Sequence, residues 1–401
     1  MKIKTAHRPL IEKTIKRLDS SFFYYDLDGL KEHLEKLSSI MDSDLKLWYA
    51  CKANPLSAIL KIFRNLGFGV DVASQGELDQ ALSSGINPGE ILTTGPSKSR
   101  KYLRSLLENE VDVIVLESHN QAYWLSEIAG ELGRRPKVLL RVQLDWEDGV
   151  SVLGGNSITP FGTDAENWLK LDQQKIENIE IMGLHVFQWG NILEVSELKR
   201  IWWKITEECQ ILAKKLAIEL KILDLGGGLG IPYSSDQKEI DFNEINSNLK
   251  ELKKEFKLEK IWMELGRYAV GPFGHYMTQV IDRKTVRGKE LLILDGGINH
   301  LARPALTGQA FPCQMLRQSD SELRPFTVSG PLCTALDVLG EFELPSDINE
   351  GDWLCFHQCG AYGFTEAMPF FLCHNLPAEV IIYNGDLMTP RTIKASSDWL
   401  V

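Results

Sequence analysis

The stretch "KLWYACKANP", residues 46–55, places Lys52 just after a segment that reads as a buried strand. Residues 47–50 form an apolar run, and the Asn54-Pro55 pair ends it. An isolated lysine near a strand end is usually solvated, but one between "LWYA" and "ANP" is expected to lie out of water. Because burying an unpaired ammonium is costly, its pKa would fall and the neutral amine could act as a nucleophile. The stretch therefore predicts a desolvated lysine at a strand end.

Seven similar apolar runs follow this one through the first two-thirds of the chain. The eight predicted strands are Leu45–Ala50 and residues 68–73, 90–94, 111–116, 137–142, 179–186, 220–225 and 261–264. Amphipathic helical segments such as "PLSAILKIFRNLG" and "ELKRIWWKITEECQILAKKLAI" lie between them. Strand–helix alternation repeated in this way predicts an α/β fold with a parallel (β/α)8 TIM-like barrel. A doubly wound open sheet is the alternative, because strand counts read from sequence are uncertain.

The pattern changes after about residue 271. Short β-like runs such as "HYMTQVID", "DWLCFHQCG" and "AEVIIYNG" are separated by Gly, Pro, Asn and Asp, and helical periodicity ends. This texture predicts a C-terminal, mostly antiparallel β domain. We therefore expect a barrel over residues 22–272 and a β domain formed by residues 1–21 and 273–401.

Composition and charge exclude several classes of protein. Of the 401 residues 44% are apolar and 25% are charged, which is typical of globular proteins. A net charge of -11 argues against a nucleic-acid partner, and no apolar run is long enough to cross a membrane. The N-terminal "MKIKTAHRPLIEKTIKRL" is basic but lacks the apolar core of a signal peptide. Seven scattered cysteines without a CxxC pair predict a reduced, cytoplasmic protein with no metal site or disulfide framework.

Chemically useful residues fall at several of the predicted strand ends, where the active site of a (β/α)8 barrel is built. They are Lys52, Asp71 in "GFGVDVASQGEL", His185 in "GLHVFQWGN", Gly226, Gly227 and Gly228 in "LDLGGGLG", and Glu264 and Arg267 in "MELGRY". Each has an ordinary alternative: a lone histidine is more often a packed core residue, and a Glu–Arg pair is more often a salt bridge. Consecutive glycines are most often a flexible turn. Here they follow a strand and precede a predicted helix, where bare backbone N–H groups can hold a phosphate.

A desolvated lysine, a phosphate loop, an arginine and a strand-end glutamate together describe a pyridoxal 5'-phosphate (PLP) site. At this point the chain resembles the fold-type III PLP-dependent decarboxylases, the group of diaminopimelate and ornithine decarboxylases. The segments that carry the resemblance are "YACKANP", "GFGVDVASQGEL", "GLHVFQWGN", "LDLGGGLGIPY", "ELGRY", "DGGINHLARPAL", "SGPLCTALDVLG" and "GDWLCFHQCGAYGF". They follow the family order from about residue 20 to about residue 370. The resemblance implies a barrel followed by a β domain, in a homodimer whose interface contributes to the active sites.

The resemblance also assigns cofactor contacts. Lys52 would bind the aldehyde of PLP covalently, with Asp71 nearby and His185 stacked on the pyridine ring. The phosphate would be held by Gly226, Gly227, Gly228, Arg267 and Tyr362.

Two further roles concern catalysis. Glu264 would pair with the pyridine nitrogen, and Cys333 would arrive from the partner subunit. A carboxylate at that nitrogen keeps it protonated, so the ring can accept the charge left when a bond at Cα breaks. An arginine there, as in the related alanine racemases, would leave the nitrogen neutral. Glu264 therefore favours decarboxylation over racemisation, and Cys333 is a candidate donor of the proton that returns to Cα.

The departures from the family pattern concern the substrate. In the ornithine and diaminopimelate enzymes an acidic residue follows the cysteine of "GPxC" and meets the distal ammonium of the substrate; here this position is Thr334. The family "RPALY" becomes "RPALT", which keeps Arg303, and the serine expected after the strand-six histidine is replaced by Gln188. Arg303 and Gln188 suit an anionic or amide-bearing substrate better than a diamine.

These departures resemble a branch that decarboxylates an amino-acid moiety already attached to another molecule. Examples are citrate-linked diaminopropionate in carboxylate siderophore biosynthesis and glutamyl groups on carrier proteins in antibiotic pathways. We expect a substrate of this kind, with the siderophore role favoured. Free diaminopimelate is the first alternative, followed by ornithine, lysine or arginine.

Three readings outside this activity remain. A non-catalytic regulatory homologue would have lost cofactor residues, whereas Lys52, His185, Glu264 and Arg267 are all present. A PLP carrier protein would stop after the barrel. A metal hydrolase on the same fold would explain neither Lys52 nor the glycines.

Overall fold

The computed structural model describes residues 3–146 and 158–400. The strands are β1 (Phe22–Asp26), β2 (Leu45–Ala50), β3 (Gly69–Val72), β4 (Ile91–Thr93), β5 (Val113–Leu116), β6 (Lys137–Gln143), β7 (Thr163–Asp164), β8 (Glu180–His185), β9 (Ile222–Asp224), β10 (Lys260–Leu265), β11 (Gly274–Val286), β12 (Lys289–Leu294), β13 (Cys313–Met315), β14 (Leu323–Ser329), β15 (Val338–Pro345), β16 (Trp353–Phe356), β17 (Ala378–Tyr383) and β18 (Asp386–Arg391). The α-helices are α1 (Arg8–Leu18), α2 (Leu27–Ile40), α3 (Ser57–Asn65), α4 (Gln75–Ser83), α5 (Arg100–Glu108), α6 (His119–Leu132), α7 (Ala165–Trp168), α8 (Val195–Leu216), α9 (Phe242–Phe256), α10 (Arg267–Val270) and α11 (Arg303–Thr307).

The chain forms two compact units, which we call the barrel unit and the sheet unit. The barrel unit comprises His33–Ile231 and Lys238–Ala269. The sheet unit comprises Met1–Glu32, Pro232–Gln237 and Val270–Val401.

The barrel unit contains eight parallel strands in the order β5-β4-β3-β2-β10-β9-β8-β6, and pairing of β5 with β6 closes the ring. Each strand matches one of the eight apolar runs of the sequence, and β2 has the predicted bounds. The predicted barrel is therefore confirmed, and the open sheet is excluded by the closing pair.

Helix N-caps define where several of the connecting helices begin. The hydroxyl oxygens of Ser74, Ser99 and Ser118 accept backbone N–H groups at the starts of α4, α5 and α6. Such caps satisfy N–H groups that have no partner inside the helix, so each strand-to-helix turn is encoded locally.

Close-packed side chains fill the barrel. Trp48 and Trp262 lie edge to face with ring centroids 4.9 Å apart, and both belong to one buried cluster. Gly69 allows this packing, because a Cβ there would lie 2.3 Å from the Trp48 ring. A filled core of this kind leaves the strand ends, rather than the interior, for chemistry.

The sheet unit is a nine-stranded, mostly antiparallel sheet. Its path runs β15-β14-β12-β11-β1-β17-β18, with β16 pairing with β11 and β13. The predicted barrel start at residue 22 is wrong, because β1 pairs antiparallel with β11 and parallel with β17. All five residues of β1, Phe22–Asp26, are buried. No helix in the described part of the chain is long and apolar enough to span a membrane.

Candidate active site

Lys52 lies in a single 3-10 turn, Cys51–Ala53, directly after β2. Its neighbours Cys51 and Ala53 are buried, but its own side chain is exposed, with Nζ 5.6 Å from the centre of the Phe187 ring. The prediction of a desolvated amine is therefore wrong for this structure. The turn directs its central side chain away from the flanking core residues, which sequence spacing alone did not show.

His185 and Glu264 form the central pair at the strand ends of the barrel. His185 Nε2 and Glu264 Oε1 are 2.8 Å apart, and both side chains are almost fully buried. Burial alone would raise the pKa of Glu264, but the charge and hydrogen bond of His185, with Lys52 and Arg141, lower it to about 2. Glu264 is therefore a carboxylate at neutral pH, as the predicted role requires.

Asp71 lies on β3 in register with Ala50 of β2, close to the turn that carries Lys52. The Thr94 hydroxyl donates to Asp71 Oδ2 at 3.0 Å, whereas Oδ1 is buried with no hydrogen-bond partner among the described residues. Burial and the negative charge of Glu264 raise the pKa of Asp71 to about 8. Two acidic groups in one site thus have pKa values displaced in opposite directions.

This opposition gives a test of the site in the protein without cofactor. The raised pKa of Asp71 favours folding fully below the unfolded value of about 3.9, and that contribution is lost as pH rises towards about 8. Asp71→Asn should therefore become more stable relative to wild type as pH rises, by about 4 kcal/mol between pH 5 and pH 8, because one pKa unit is worth about 1.4 kcal/mol. Thermal unfolding at pH 5 and pH 8 measures this, and an equal difference at both pH values would contradict it.

Asp224, at the end of β9, is a site residue that was not predicted from the sequence. It lies in register with His185, and donors on His185, Asp224 and Glu264 come within 4.8 Å of one another. Oδ1 accepts the Gly226 N–H at 2.8 Å, while Oδ2 is buried without a partner in the described residues. Burial and the charge of Glu264 raise the pKa of Asp224 well above its usual value. The donor atoms of these three residues are also spaced as metal ligands can be.

The three glycines form a bend that larger residues could not adopt. Gly226 has φ 62° and Gly228 has φ 105°, in the left-handed region that favours glycine. A Cβ on Gly227 would lie 2.6 Å from the Glu264 carbonyl oxygen. The next helix in the described part of the chain is α9, which begins at Phe242, so the bend is separated from the helix that was expected to follow it. Backbone N–H groups remain the feature that suits an anion.

Arg267 is the first residue of the short helix α10, immediately after β10, and its side chain is half-buried. Glu264 near the end of β10 and Arg267 just after this strand therefore lie close together in sequence at one strand end of the barrel.

These residues fit PLP. Asp71 Oδ1, His185 Nδ1 and Asp224 Oδ2 are buried polar atoms without hydrogen-bond partners in the described part of the chain. Buried polar groups are normally paired, so such a cluster is typical of a binding site. An ionised glutamate, a lysine at a neighbouring strand end and a glycine bend match the ring nitrogen, aldehyde and phosphate of the cofactor.

A second buried charge cluster also lies at the strand ends. Arg141 Nη1 and Glu117 Oε1 are 3.0 Å apart, with side chains only 6% and 2% exposed. Lys98 is 2% exposed and donates to the Gly95 carbonyl at 2.5 Å. Burial lowers the pKa of Lys98 to about 8, although Glu117 opposes this. The desolvated lysine that the sequence predicted at residue 52 is thus found at residue 98.

Breaking the buried pair should be costly. Arg141→Met leaves Glu117 charged and buried, so we expect it to lower the free energy of unfolding by about 3–5 kcal/mol. Urea denaturation measures the change. Arg134→Met is the matched control, because its partner Glu110 is 3.0 Å away but 70% exposed, and we expect a loss under about 1 kcal/mol. Similar losses in both variants would contradict the assignment.

Gln188 is not placed as a substrate contact. Its side chain is 6% exposed and pairs reciprocally with the backbone of Leu144: Oε1 accepts the N–H and Nε2 donates to the C=O, both at 2.9 Å. Because the two polar ends of the amide are used in this way, Gln188 ties the end of β8 to the segment after β6. The substrate-binding role stays a prediction, beside the positioning role that these two hydrogen bonds show.

In the sheet unit, Arg303 at the start of α11 is held by groups of the same unit. Its Nη1 donates to both oxygens of Glu366, at 3.0 and 2.8 Å, and its guanidinium lies 4.8 Å from the Tyr362 ring centre. Glu366 was not identified from the sequence. Tyr362 has a left-handed φ of 53°, which marks an unusual backbone conformation for a tyrosine.

Cys333 and Thr334 lie in a turn between β14 and β15. The Cys333 side chain is exposed, and the Thr334 hydroxyl accepts the Leu336 N–H at 3.3 Å. The Asp337 carboxylate accepts the Leu332 N–H at 2.7 Å, and this hydrogen bond holds the two ends of the turn together. The acidic residue of this segment thus holds the backbone and does not follow the cysteine directly.

Comparison with known proteins settles the class. Residues 27–271 match the family model "Pyridoxal-dependent decarboxylase, pyridoxal binding domain". This is more than half of the chain, so the chain belongs to that family. It is a PLP-dependent amino-acid decarboxylase, and the resemblance found in the sequence is confirmed.

The chain is similar along most of its length to three relatives and to one solved structure. It is 28% identical to L-glutamyl-[BtrI acyl-carrier protein] decarboxylase of Niallia circulans, over 96% of this chain and 94% of that one. It is 30% identical to diaminopimelate decarboxylase of Aquifex aeolicus, over 97% and 93%. It is 28% identical to 2-[(L-alanin-3-ylcarbamoyl)methyl]-2-hydroxybutanedioate decarboxylase of Staphylococcus aureus, over 90% and 93%. The structure of Helicobacter pylori diaminopimelate decarboxylase with L-lysine shares the fold, with a TM-score of 0.86, 23% identity, and 97% and 98% coverage.

Proposed function

We propose that this decarboxylase acts on an amino-acid moiety that is part of a larger conjugate. The observation that carries the proposal is Thr334, which stands where the enzymes for free diamino acids have a carboxylate. Without that carboxylate, a distal ammonium would lose its main partner on leaving water, which is costly.

Bound PLP supplies an electron sink for the charge that develops at Cα as CO2 leaves. Lys52 would hold the cofactor covalently from its turn after β2. The Glu264 carboxylate would face the ring nitrogen, and its low pKa keeps it anionic throughout the working pH range. His185, fixed by Glu264, would pack on the ring, and Asp71 would lie close to the lysine end.

Phosphate binding would combine the glycine bend with charge. Gly226, Gly227 and Gly228 offer a backbone that can approach an anion closely, and Arg267 adds a guanidinium. We propose that Tyr362 completes this contact.

Cys333 is proposed to return a proton to Cα after CO2 leaves. The exposed thiol suits a residue that completes the site of a neighbouring subunit. A homodimer with shared sites is accordingly part of the proposal. Seven free cysteines support a reducing, cytoplasmic compartment as well.

The nature of the conjugate is suggested by two of the relatives. One acts on a glutamyl group on a carrier protein, and another on an alanyl group joined by an amide to a hydroxybutanedioate. We favour the second type, as in carboxylate siderophore biosynthesis. Arg303 could bind a carboxylate group of such a substrate if one of its two hydrogen bonds to Glu366 is broken.

The alternative functions can be ranked by the relatives and by the cofactor residues. Diaminopimelate decarboxylation comes first, because a relative with that name is 30% identical over nearly the full chain. Ornithine, lysine or arginine follow, and a non-catalytic regulatory homologue is least favoured because the cofactor residues are retained.

Substrate preference tests the proposal directly. We expect CO2 release from citryl-diaminopropionate or a carrier-bound glutamyl group to exceed release from diaminopimelate, ornithine and lysine by about 100-fold or more in kcat/KM. A missing charge contact of about 2–5 kcal/mol corresponds to this ratio. In Thr334→Glu, activity on a free diamino acid should rise, whereas Thr334→Ser is the matched control. Robust wild-type activity on any free diamino acid would contradict the conjugate proposal and leave the cofactor chemistry intact.

A further inference from the structure

The sheet unit contains a buried group of metal-binding side chains that decarboxylation does not use. His275 lies on β11, Cys355 lies on the paired strand β16, and His357 follows two residues after Cys355. Their exposed fractions are 7%, 0% and 2%. No metal site was expected from the sequence, because it contains no CxxC pair; the pairing of β11 with β16 brings together residues about 80 positions apart.

The geometry of the three donors is close to a coordination site. One donor atom from each residue lies within 4.8 Å of the other two. The Nδ1 atoms of His275 and His357 are 2.9 Å apart, and Cys355 Sγ is 3.8 Å from His357 Nδ1. Bond lengths of about 2.0 Å to nitrogen and 2.3 Å to sulfur place such donors about 3.3–3.6 Å apart. Shifts of a few tenths of an ångström would thus accommodate an ion.

One buried nitrogen of the group lacks a hydrogen-bond partner in the described part of the chain. Both imidazoles bind an ion in their neutral form. Facing nitrogens of two neutral rings can share only one proton between them. His357 Nε2 has no hydrogen-bond partner among residues 3–146 and 158–400. A buried polar group left in this state needs an explanation other than stability.

The surroundings restrict the charge of the ion. Cys355 belongs to an apolar cluster that includes Phe22, Met277 and Trp353, and the Tyr24 ring stacks on His275 at 5.3 Å. The donor group contains one thiol, two imidazoles and no carboxylate. One thiolate with two neutral imidazoles balances a single positive charge, whereas a divalent ion would leave a net charge in an apolar core.

We propose that His275, Cys355 and His357 form a binding site for a soft monovalent ion, copper(I). Thiolate and imidazole are ligands that this ion prefers, and Met277 adds a thioether to the same cluster. The ion displaces the thiol proton of Cys355, which passes to solvent, and no electron is transferred. The site joins β11 to β16, so occupancy should stabilise the sheet unit.

The test measures copper(I) binding to the full-length, PLP-loaded protein without oxygen, in competition with a chromophoric copper(I) chelator. Exposed thiols of Cys333 and Cys373 are alkylated first, because they would compete. We expect one ion per chain in wild type and about 100-fold or more weaker binding in Cys355→Ala. Cys209→Ala is the matched control, since it removes an equally buried thiol from the barrel unit and should bind as wild type does.

Three outcomes would overturn the proposal: no stoichiometric binding by wild type, equal binding by Cys355→Ala, or loss of binding in Cys209→Ala. Tighter binding of zinc than of copper(I) through these residues would overturn the choice of ion. Circular dichroism and the cofactor absorbance show whether Cys355→Ala is folded. If it is not, X-ray absorption of copper-loaded wild type decides: one sulfur and two nitrogen ligands support the site, and sulfur ligands alone contradict it.

Discussion

Lys52→Ala is expected to abolish both covalent retention of PLP and CO2 release. The variant removes the amine that would bond to the cofactor aldehyde, and no other side chain in the turn Cys51–Ala53 can replace it. Turnover should fall by about a thousandfold or more, as for other covalent catalytic residues. Visible absorbance after gel filtration reports retention independently of activity, and CO2 release reports turnover.

Lys46→Ala is the matched control for this variant. Lys46 lies on β2, the strand that precedes the Lys52 turn, and its Nζ is 2.9 Å from a Glu90 carboxylate oxygen and lies over the Trp48 ring. We expect normal absorbance and activity within a few-fold of wild type. If Lys52→Ala kept both signals, the assignment of the lysine would be refuted.

Glu264→Gln is expected to lower kcat/KM by about 100-fold or more while cofactor binding persists. The amide preserves shape and can still accept from His185 Nε2, but it removes the negative charge that would hold the ring nitrogen protonated. A change of two pKa units at that nitrogen is worth about 2.7 kcal/mol, which corresponds to this factor. Activity assays measure the loss, and the pH dependence of the cofactor absorbance should shift to lower pH.

Glu180→Gln serves as the control for charge removal. Glu180 begins β8, the strand that ends at His185, so it carries a carboxylate at the opposite end of the same strand. Its only described ion pair, with Lys221, is 3.8 Å long. Activity should change little. An equal loss of activity in both variants would show that the loss comes from the change in net charge and not from the position of Glu264.

The backbone of the barrel could be predicted from sequence because its signals are local. Each strand is a short apolar run, and serine caps mark several helix starts. The run "KVLLRVQ" also carried an unused signal: Arg141 in a buried strand requires a partner, which the structure supplies as Glu117, 24 residues earlier. Asp224 in "ILD" gave the same kind of signal.

The rest of the site depends on partners that are distant in sequence. Glu264 and His185 are separated by 79 residues, and Arg303 and Glu366 by 63. Only the folded register brings such pairs together. The exposure of Lys52 likewise depends on one turn, because the position of a strand end does not determine the direction of the next side chain.

The most direct test of the account is to find which lysine carries the cofactor. Lys52 is exposed at the strand end, and Lys98 is buried with a lowered pKa, so both are chemically competent amines. Borohydride reduction of the PLP-loaded protein, followed by peptide mass spectrometry, locates the pyridoxyl group. We expect modification of Lys52 alone; modification of Lys98 with Lys52 unmodified would contradict the assignment of Lys52.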